Sequence, residues 1–193
     1  MPWEKQFDVD EALERAKNTF WTVGYEAASM SDLLKSMGIN RGSFYDTFKS
    51  KYDLMLTVLR RYDANERRVL LEAVKLDRTP REALVALFRA LVDDTRGPLS
   101  RQGCFLVNAA LELSPSDPEV AEIVQNAFAD NERFFLEQIR AGQQTGEIPT
   151  DLDVEEMACL LVTQYAGLMV LVRAGSPQPV LDAAVEQLEK ILS

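Results

Sequence analysis

The chain has 193 residues, of which 47% are hydrophobic and 27% charged, with a formal net charge of −10 and no histidine. That length supports one large domain or a small one joined to a larger one, and the composition is that of a globular chain. Without histidine the commonest general base and zinc ligand are missing, and Cys104 and Cys159 lack metal-ligand spacing, which argues against an enzyme or a metal or cofactor protein. No apolar run approaches the ~20 residues of a bilayer span. The longest, Leu160 to Val172, is broken by Thr163, Gln164 and Tyr165, and the segment from Met1 to Gln6 has no signal-peptide character. A cytoplasmic protein with no membrane contact is therefore expected.

Helical punctuation runs the length of the chain, and no segment alternates like a half-buried strand. Nine helices are expected, over about 9–23, 30–36, 41–47, 51–76, 80–95, 102–113, 118–141, 154–174 and 178–192. Capping boxes are written at Ser29–Asp32, Ser50–Asp53 and Thr79–Glu82, the last with Pro80 at the first helical position. Asp117 and Asp153 open further helices, while Gly24, Gly38, Gly97-Pro98, Ser114-Pro115, the stretch from Gly142 to Pro149, and Gly175-Ser176-Pro177 close them. The fold class is all-α: a helix-turn-helix domain over 1–53 and a larger helical domain over 54–193 for ligand sensing and dimerisation.

The segment from Ser29 to Asp53 carries the functional signal. A short amphipathic helix ends at Gly38, which can take the left-handed conformation, and Asn40 caps a second short helix from Arg41 to Phe48. Phe44 and Phe48, four apart, share one face and can anchor that helix in a small core with Leu33, Leu34 and Ile39. The other face offers Arg41, Gly42, Ser43, Tyr45 and Thr47, the donor-rich surface a recognition helix needs in the major groove. Lys51, in the first turn of the next helix, can grip a phosphate beside free amides. Charge distribution permits this: residues 1–60 are nearly neutral, with 8 Lys/Arg against 9 Asp/Glu, and the acidity lies beyond them.

The run from Phe20 to Leu33, followed by Met37-Gly38-Ile39-Asn40-Arg41-Gly42-Ser43-Phe44-Tyr45-Asp46-Thr47-Phe48-Lys49-Ser50-Lys51, resembles the DNA-binding domain of TetR/AcrR-type bacterial repressors. The resemblance implies a homodimer that binds a double-stranded DNA operator and is released by a small-molecule effector. It assigns DNA contacts to Ser29, Ser31, Arg41, Gly42, Ser43, Tyr45, Thr47 and Lys51. Asp46-Thr47 departs from the Tyr-His found in many members, so operator sequence does not transfer. Asp46 either accepts from a cytosine amino group or points away from DNA.

In the second domain, Phe88, Leu91, Phe105, Phe128 and Met169 are candidates to line a ligand cavity, with Asn108, Gln164 and Tyr165 as orienting polar groups. The segment from Gln102 to Leu113 resembles a branch of the same family, some of whose members sense electrophiles or oxidants through a cysteine. Cys104, at a helix start with Arg101 close by, is the candidate thiol, against the alternative of a small buried hydrophobe. Cys159, placed deep in an apolar helix, is a weaker one. The helices at about 118–141 and 154–174, the second apolar nearly all round, are the candidate dimer interface. The alternative function is an all-α protein-interaction module without DNA binding. Glu112 and Asp117 read as a solvated helix end and a helix cap rather than a catalytic pair.

Overall fold

The computed structural model describes residues 7–93 and 102–193. The expected helix stop at Gly97-Pro98, the first six residues and Arg101 lie outside them. Among the described residues there is no strand, and the chain divides into two compact units, one ending at Asp63 and one running from Ala64 to Ser193.

The first unit contains α1 (Val9–Val23), α2 (Met30–Met37), α3 (Arg41–Phe48) and α4 (Lys51–Tyr62). Each opens on a short polar side chain that satisfies free amides: Asp8, Ser29, Asn40 and Ser50 respectively. The unit closes after Asp63 rather than after Asp53, because α4 belongs to its core. Leu54, Met55, Leu56, Val58 and Leu59 are buried, α4 packs on α1, and Arg61 pairs with Asp10 at 2.7 Å. Trp21 of α1 sits edge-on to Tyr62 of α4 with ring centroids 5.0 Å apart.

From α4 the helix continues through a π turn, Asp63–Arg67, into α5 (Arg68–Ala73). Arg67, the last residue of that turn, is buried. It donates to Asn131 Oδ1 at 2.6 Å and to Asp130 at 3.2 Å, and Asp130 also receives Arg68 and Arg133. A single extra residue per turn widens a helix locally, and the buried guanidinium is satisfied by that network.

The second unit adds α6 (Pro80–Asp93), α7 (Phe105–Glu112), α8 (Pro118–Thr145), α9 (Val154–Ala174) and α10 (Gln178–Ile191). The expected capping box forms at Thr79, whose N–H donates to Glu82 at 2.9 Å, and Asp117 and Asp153 cap α8 and α9. Helix α7 begins at Phe105, later than expected, with Cys104 at the cap position. Helix α8 runs past Gly142 to Thr145, because Gly142 packs under Ile148 and the left-handed cap falls at Gly146 instead. The core is built around Phe88 of α6 stacked on Phe135 of α8, with centroids 5.9 Å apart, and α8 packs along α9. Helix α9 corrects the expectation that no segment could span a bilayer. It is long and apolar enough, with a mean hydropathy of 1.6, because Thr163 and Gln164 interrupt the run without adding charge. Its buried face, Met157, Leu161, Tyr165, Leu168 and Met169, belongs to the core of this unit.

At Gly103 the backbone has φ +63°, and a Cβ there would lie 2.6 Å from the carbonyl oxygen of Met169 in α9. Both the left-handed conformation and the close approach demand glycine. Gly103→Ala is expected to destabilise the protein by at least about 2 kcal/mol. Urea unfolding followed by helical circular dichroism checks this; an unchanged midpoint would remove the constraint.

Candidate nucleic-acid interface

The interface is assembled by two successive caps. Helix α2 ends where Gly38 adopts φ 69°, ψ 28°, its N–H reaching Leu34 and Lys35 carbonyls while that of Ile39 returns to Leu34 at 3.2 Å. Two residues later the Asn40 side chain accepts from the Ser43 N–H at 2.9 Å and starts α3. The chain therefore turns from one helix to the next within three residues, with its free amides met by its own side chains.

Phe44 and Phe48 of α3 are buried, their rings 5.7 Å apart, as are Leu33, Met37 and Ile39; Leu34 is half-buried. That anchoring leaves Arg41, Gly42, Tyr45 and Asp46 exposed, with Ser43 and Thr47 half-buried at the edge. The Arg41 guanidinium lies 5.7 Å from the Tyr45 ring centre, and that ring stands edge-on to Phe44. Stacking stiffens both long side chains, so less rotamer freedom is lost when they meet a partner. Asp46 shares the exposed face, one helical turn from Gly42.

Ser31 is exposed in the first turn of α2, and Ser29 is exposed at its cap. The Ser29 hydroxyl donates to Asp32 at 2.6 Å and accepts from the Asp32 N–H at 3.1 Å. These bonds from the Ser29 hydroxyl and backbone, helped by Lys35, outweigh desolvation and hold the Asp32 carboxyl below its ordinary value of 3.8. The Ser29 hydroxyl is thus committed to the cap, and any further contact it makes uses its remaining lone pair.

Between α3 and α4, Lys49 has φ 63°, ψ −54°, and the Ser50 N–H donates to the Phe48 carbonyl at 2.7 Å. This is a γ-turn of the strained, positive-φ kind. It brings the chain directly into the Ser50 cap of α4, whose first residue, Lys51, lies with its ammonium 4.3 Å from the Tyr25 ring centre. Sequence reading missed both features. Tyr25 is 26 positions from Lys51, outside any helical spacing, and nothing in Lys49 itself signals a left-handed backbone.

In the second unit the nine candidate ligand residues take different places. Phe88, Cys104, Phe105, Tyr165 and Met169 are buried, while Leu91, Asn108, Phe128 and Gln164 are half-buried. Asn108 donates to the Gln102 carbonyl at 2.9 Å, and Gln164 to that of Ala184 in α10 at 3.0 Å, so both amides serve the fold. Three clefts described in this unit are lined by other residues. Cys104 takes the setting of a small buried hydrophobe, while Cys159, expected deep in an apolar helix, departs from its expected setting. Cys104 is enclosed, with the Tyr165 hydroxyl 3.5 Å from its Sγ, whereas Cys159 is exposed on the outer side of α9. Among the described residues no cluster of three potential metal ligands exists.

Comparison with known proteins places both units. Residues 12–58 match the model for bacterial regulatory proteins of the tetR family, and residues 80–188 that for the tetracyclin repressor-like C-terminal domain. The chain is 32% identical over 155 residues to the uncharacterized HTH-type transcriptional regulator YezE of Bacillus subtilis, covering 80% of each. It is 30% identical over 177 residues to the HTH-type transcriptional repressor ComR of Escherichia coli, covering 89% of this chain and 82% of that one. Among solved structures, a cysteine mutant of the TetR family transcriptional regulator CifR, complexed with 26-bp double-strand operator DNA, superposes with a TM-score of 0.85. The match has 31% identity and covers 97% of both chains.

Because γ-turn strain of this kind costs about 1–3 kcal/mol in a non-glycine residue, Lys49→Gly is expected to leave stability unchanged or raised. Lys49→Val, branched at Cβ, is expected to lower it by about 1–2 kcal/mol. Thermal unfolding of the two variants checks the sign; a more stable valine variant would contradict the assignment.

Proposed function

Since this chain belongs to the TetR family of bacterial transcriptional regulators, and is not an enzyme, we propose that it is a cytoplasmic repressor that binds its operator as a homodimer and leaves it when a small molecule binds. The observation that carries this reading is α3, a capped helix anchored by two buried phenylalanines that leaves a stacked Arg41–Tyr45 pair exposed. Arg41, Tyr45, Gly42, Ser43 and Thr47 are assigned to base edges and adjacent phosphates, and Lys51, Ser29 and Ser31 to the backbone flanking them. Gly42 carries no side chain and lies in the first turn, where the helix can approach DNA most closely.

The dimer reading rests on α9. Its core-facing residues are buried, but Leu160, Val170 and Leu171 are 44%, 40% and 38% exposed, and Cys159, Thr163 and Gly167 lie on the same outer side. An apolar stripe with a glycine at its centre lets a second helix come close, and a twofold mate offers the same stripe in return. Two such helices with their α8 partners form a four-helix bundle.

Release follows from differential affinity: an effector that binds the second unit better in one conformation shifts the population toward it, and operator affinity falls by the coupling factor. An electrophile acting on Cys104 would first have to open the contact with Tyr165, since that thiol is enclosed. A non-covalent inducer meets no such barrier.

Selection from genomic fragments followed by binding at two salt concentrations tests the DNA reading. Specific binding should weaken steeply with salt, and Arg41→Ala and Tyr45→Ala should each cost about tenfold or more in affinity at the selected site. A folded protein that selects no fragment would overturn it. For the dimer, Leu160→Glu combined with Val170→Glu should sediment as a monomer, lose operator binding and expose Cys159 to thiol reagents that the wild-type dimer excludes. A variant that stays dimeric would move the interface elsewhere.

A further inference from the structure

Several cations in this acidic chain are neutralised where they stand. With 31 acids against 21 bases, Lys17 pairs with Glu14 at 2.5 Å, Lys75 with Glu72 at 2.6 Å and Arg61 with Asp10 at 2.7 Å. Lys51, the first residue of α4, is held differently. Its ammonium lies 4.3 Å from the centre of the Tyr25 ring, and among the described residues no carboxylate pairs with it. The two other cation–ring approaches described are wider, 5.6 Å for Lys17 and Trp21 and 5.7 Å for Arg41 and Tyr45. The Tyr25 ring is in turn fixed by α1. That helix ends at Gly24, whose backbone has φ 88° and whose N–H returns to the Phe20 carbonyl at 2.8 Å. The next residue, Tyr25, places its ring 5.9 Å from that of Phe20 with 30° between their planes. Phe20 is buried in the core, and Tyr25 and Lys51 are half-buried.

A carboxylate and a π face hold an ammonium with different consequences. A carboxylate cancels the charge and takes up an N–H donor. An aromatic ring is neutral: its quadrupole attracts the cation and leaves the full positive charge in place. Lysine carries its ammonium on a flexible four-carbon stem, and fixing such a side chain against a partner costs rotamer entropy. A ring seated on a core aromatic has few orientations open to it, so it restricts that stem before any partner arrives. The restricted cation also stands where an anion is favoured, at the amide end of a twelve-residue helix.

We propose that Tyr25 is a positioning residue for DNA binding: its ring holds the Lys51 ammonium, still fully charged, where it meets a backbone phosphate of the operator. The proposal rests on the assignment of Lys51 to the DNA backbone and adds to it a residue from outside α2 and α3. Tyr25 acts through Lys51 and needs no contact with DNA of its own. The face of the ring carries the effect, so the hydroxyl is dispensable and the aromatic character is not.

Fluorescence anisotropy of the full chain on the genomic fragment that the wild type selects tests it. Tyr25→Leu keeps an apolar contact for Phe20 but has no π face, and its affinity should fall about fivefold. Tyr25→Phe keeps the face and should stay within about twofold of wild type. In a Lys51→Met background, which keeps the stem and lacks the cation, Tyr25→Leu should cost less than about twofold, because nothing remains for the ring to hold. The dependence of affinity on salt should flatten in Lys51→Met and flatten no further when Tyr25→Leu is added. In the chain without DNA, the ring should shift the Lys51 ε-methylene protons upfield in wild type and Tyr25→Phe but not in Tyr25→Leu. Where Tyr25→Leu folds poorly, replacing Tyr25 by pentafluorophenylalanine, which keeps a ring and reverses its quadrupole, decides the matter and should weaken binding as leucine does. Equal losses with and without the Lys51 cation, equal losses for phenylalanine and leucine, or an unshifted Lys51 signal would each overturn the proposal. A wild-type chain that selects no fragment would remove the operator reading and this role with it, whereas selection unaffected by Tyr25→Leu would remove the role of Tyr25 alone.

Discussion

Everything the first unit does depends on the burial of Phe44 and Phe48. An eight-residue helix is too short to be stable alone, since nucleation costs more than so few backbone bonds return. Two aromatic rings on one face provide the missing stabilisation, roughly 1.5–3 kcal/mol for each fully buried side chain. The rotation of α3 about its own axis follows from that anchoring. With Phe44 inward, Tyr45 and Arg41 must face outward, and the caps at Asn40 and Ser50 fix where the helix begins and where the chain goes next. A smaller residue at either aromatic position would loosen the orientation as well as the stability, so anchoring and recognition are one constraint.

Charge is handled differently in the two units. In the first, carboxylates are drawn into caps: Asp8 and Asp32 accept backbone N–H bonds and Asp53 accepts the Ser50 hydroxyl at helix starts, which keeps them off the exposed face of α3. A polyanion approaching that face would meet Arg41 and the amide end of a helix, with the Asp46 carboxylate exposed beside them. In the second unit, Asp130 collects Arg67, Arg68 and Arg133 beside a π turn; only Arg67 of the three is buried, and its pairing constrains geometry more than it adds stability. The excess of acid over the rest of the chain opposes indiscriminate binding to DNA, leaving specific contacts to provide the affinity.

Helix α9 shows why an apolar helix need not be wholly inside its own chain. One side closes the core over α8, and the other presents Leu160, Val170 and Leu171 around Gly167. Its length and hydropathy would satisfy a bilayer, yet its inner face is already matched by a protein neighbour. The exposed side is the surface that the proposed dimer would cover with a second copy.

What the sequence determined by itself was local. The helices, the Ser29 and Thr79 boxes, the Asn40 cap and the left-handed Gly38 all rest on bonds spanning five residues or fewer, so their signals sit next to one another in the chain. The facing of α3 was equally legible, because the four-residue spacing of Phe44 and Phe48 orients the whole helix. Only the tertiary structure decided which of two cysteines is enclosed, that Tyr25 lies under Lys51, and that Asn108 and Gln164 spend their amides on neighbouring carbonyls. Several of these depend on partners twenty or more positions away, and the others on how closely neighbouring helices approach. No pattern of adjacent residues carries that information, because burial is a property of the packed neighbours and not of the segment that contains the side chain.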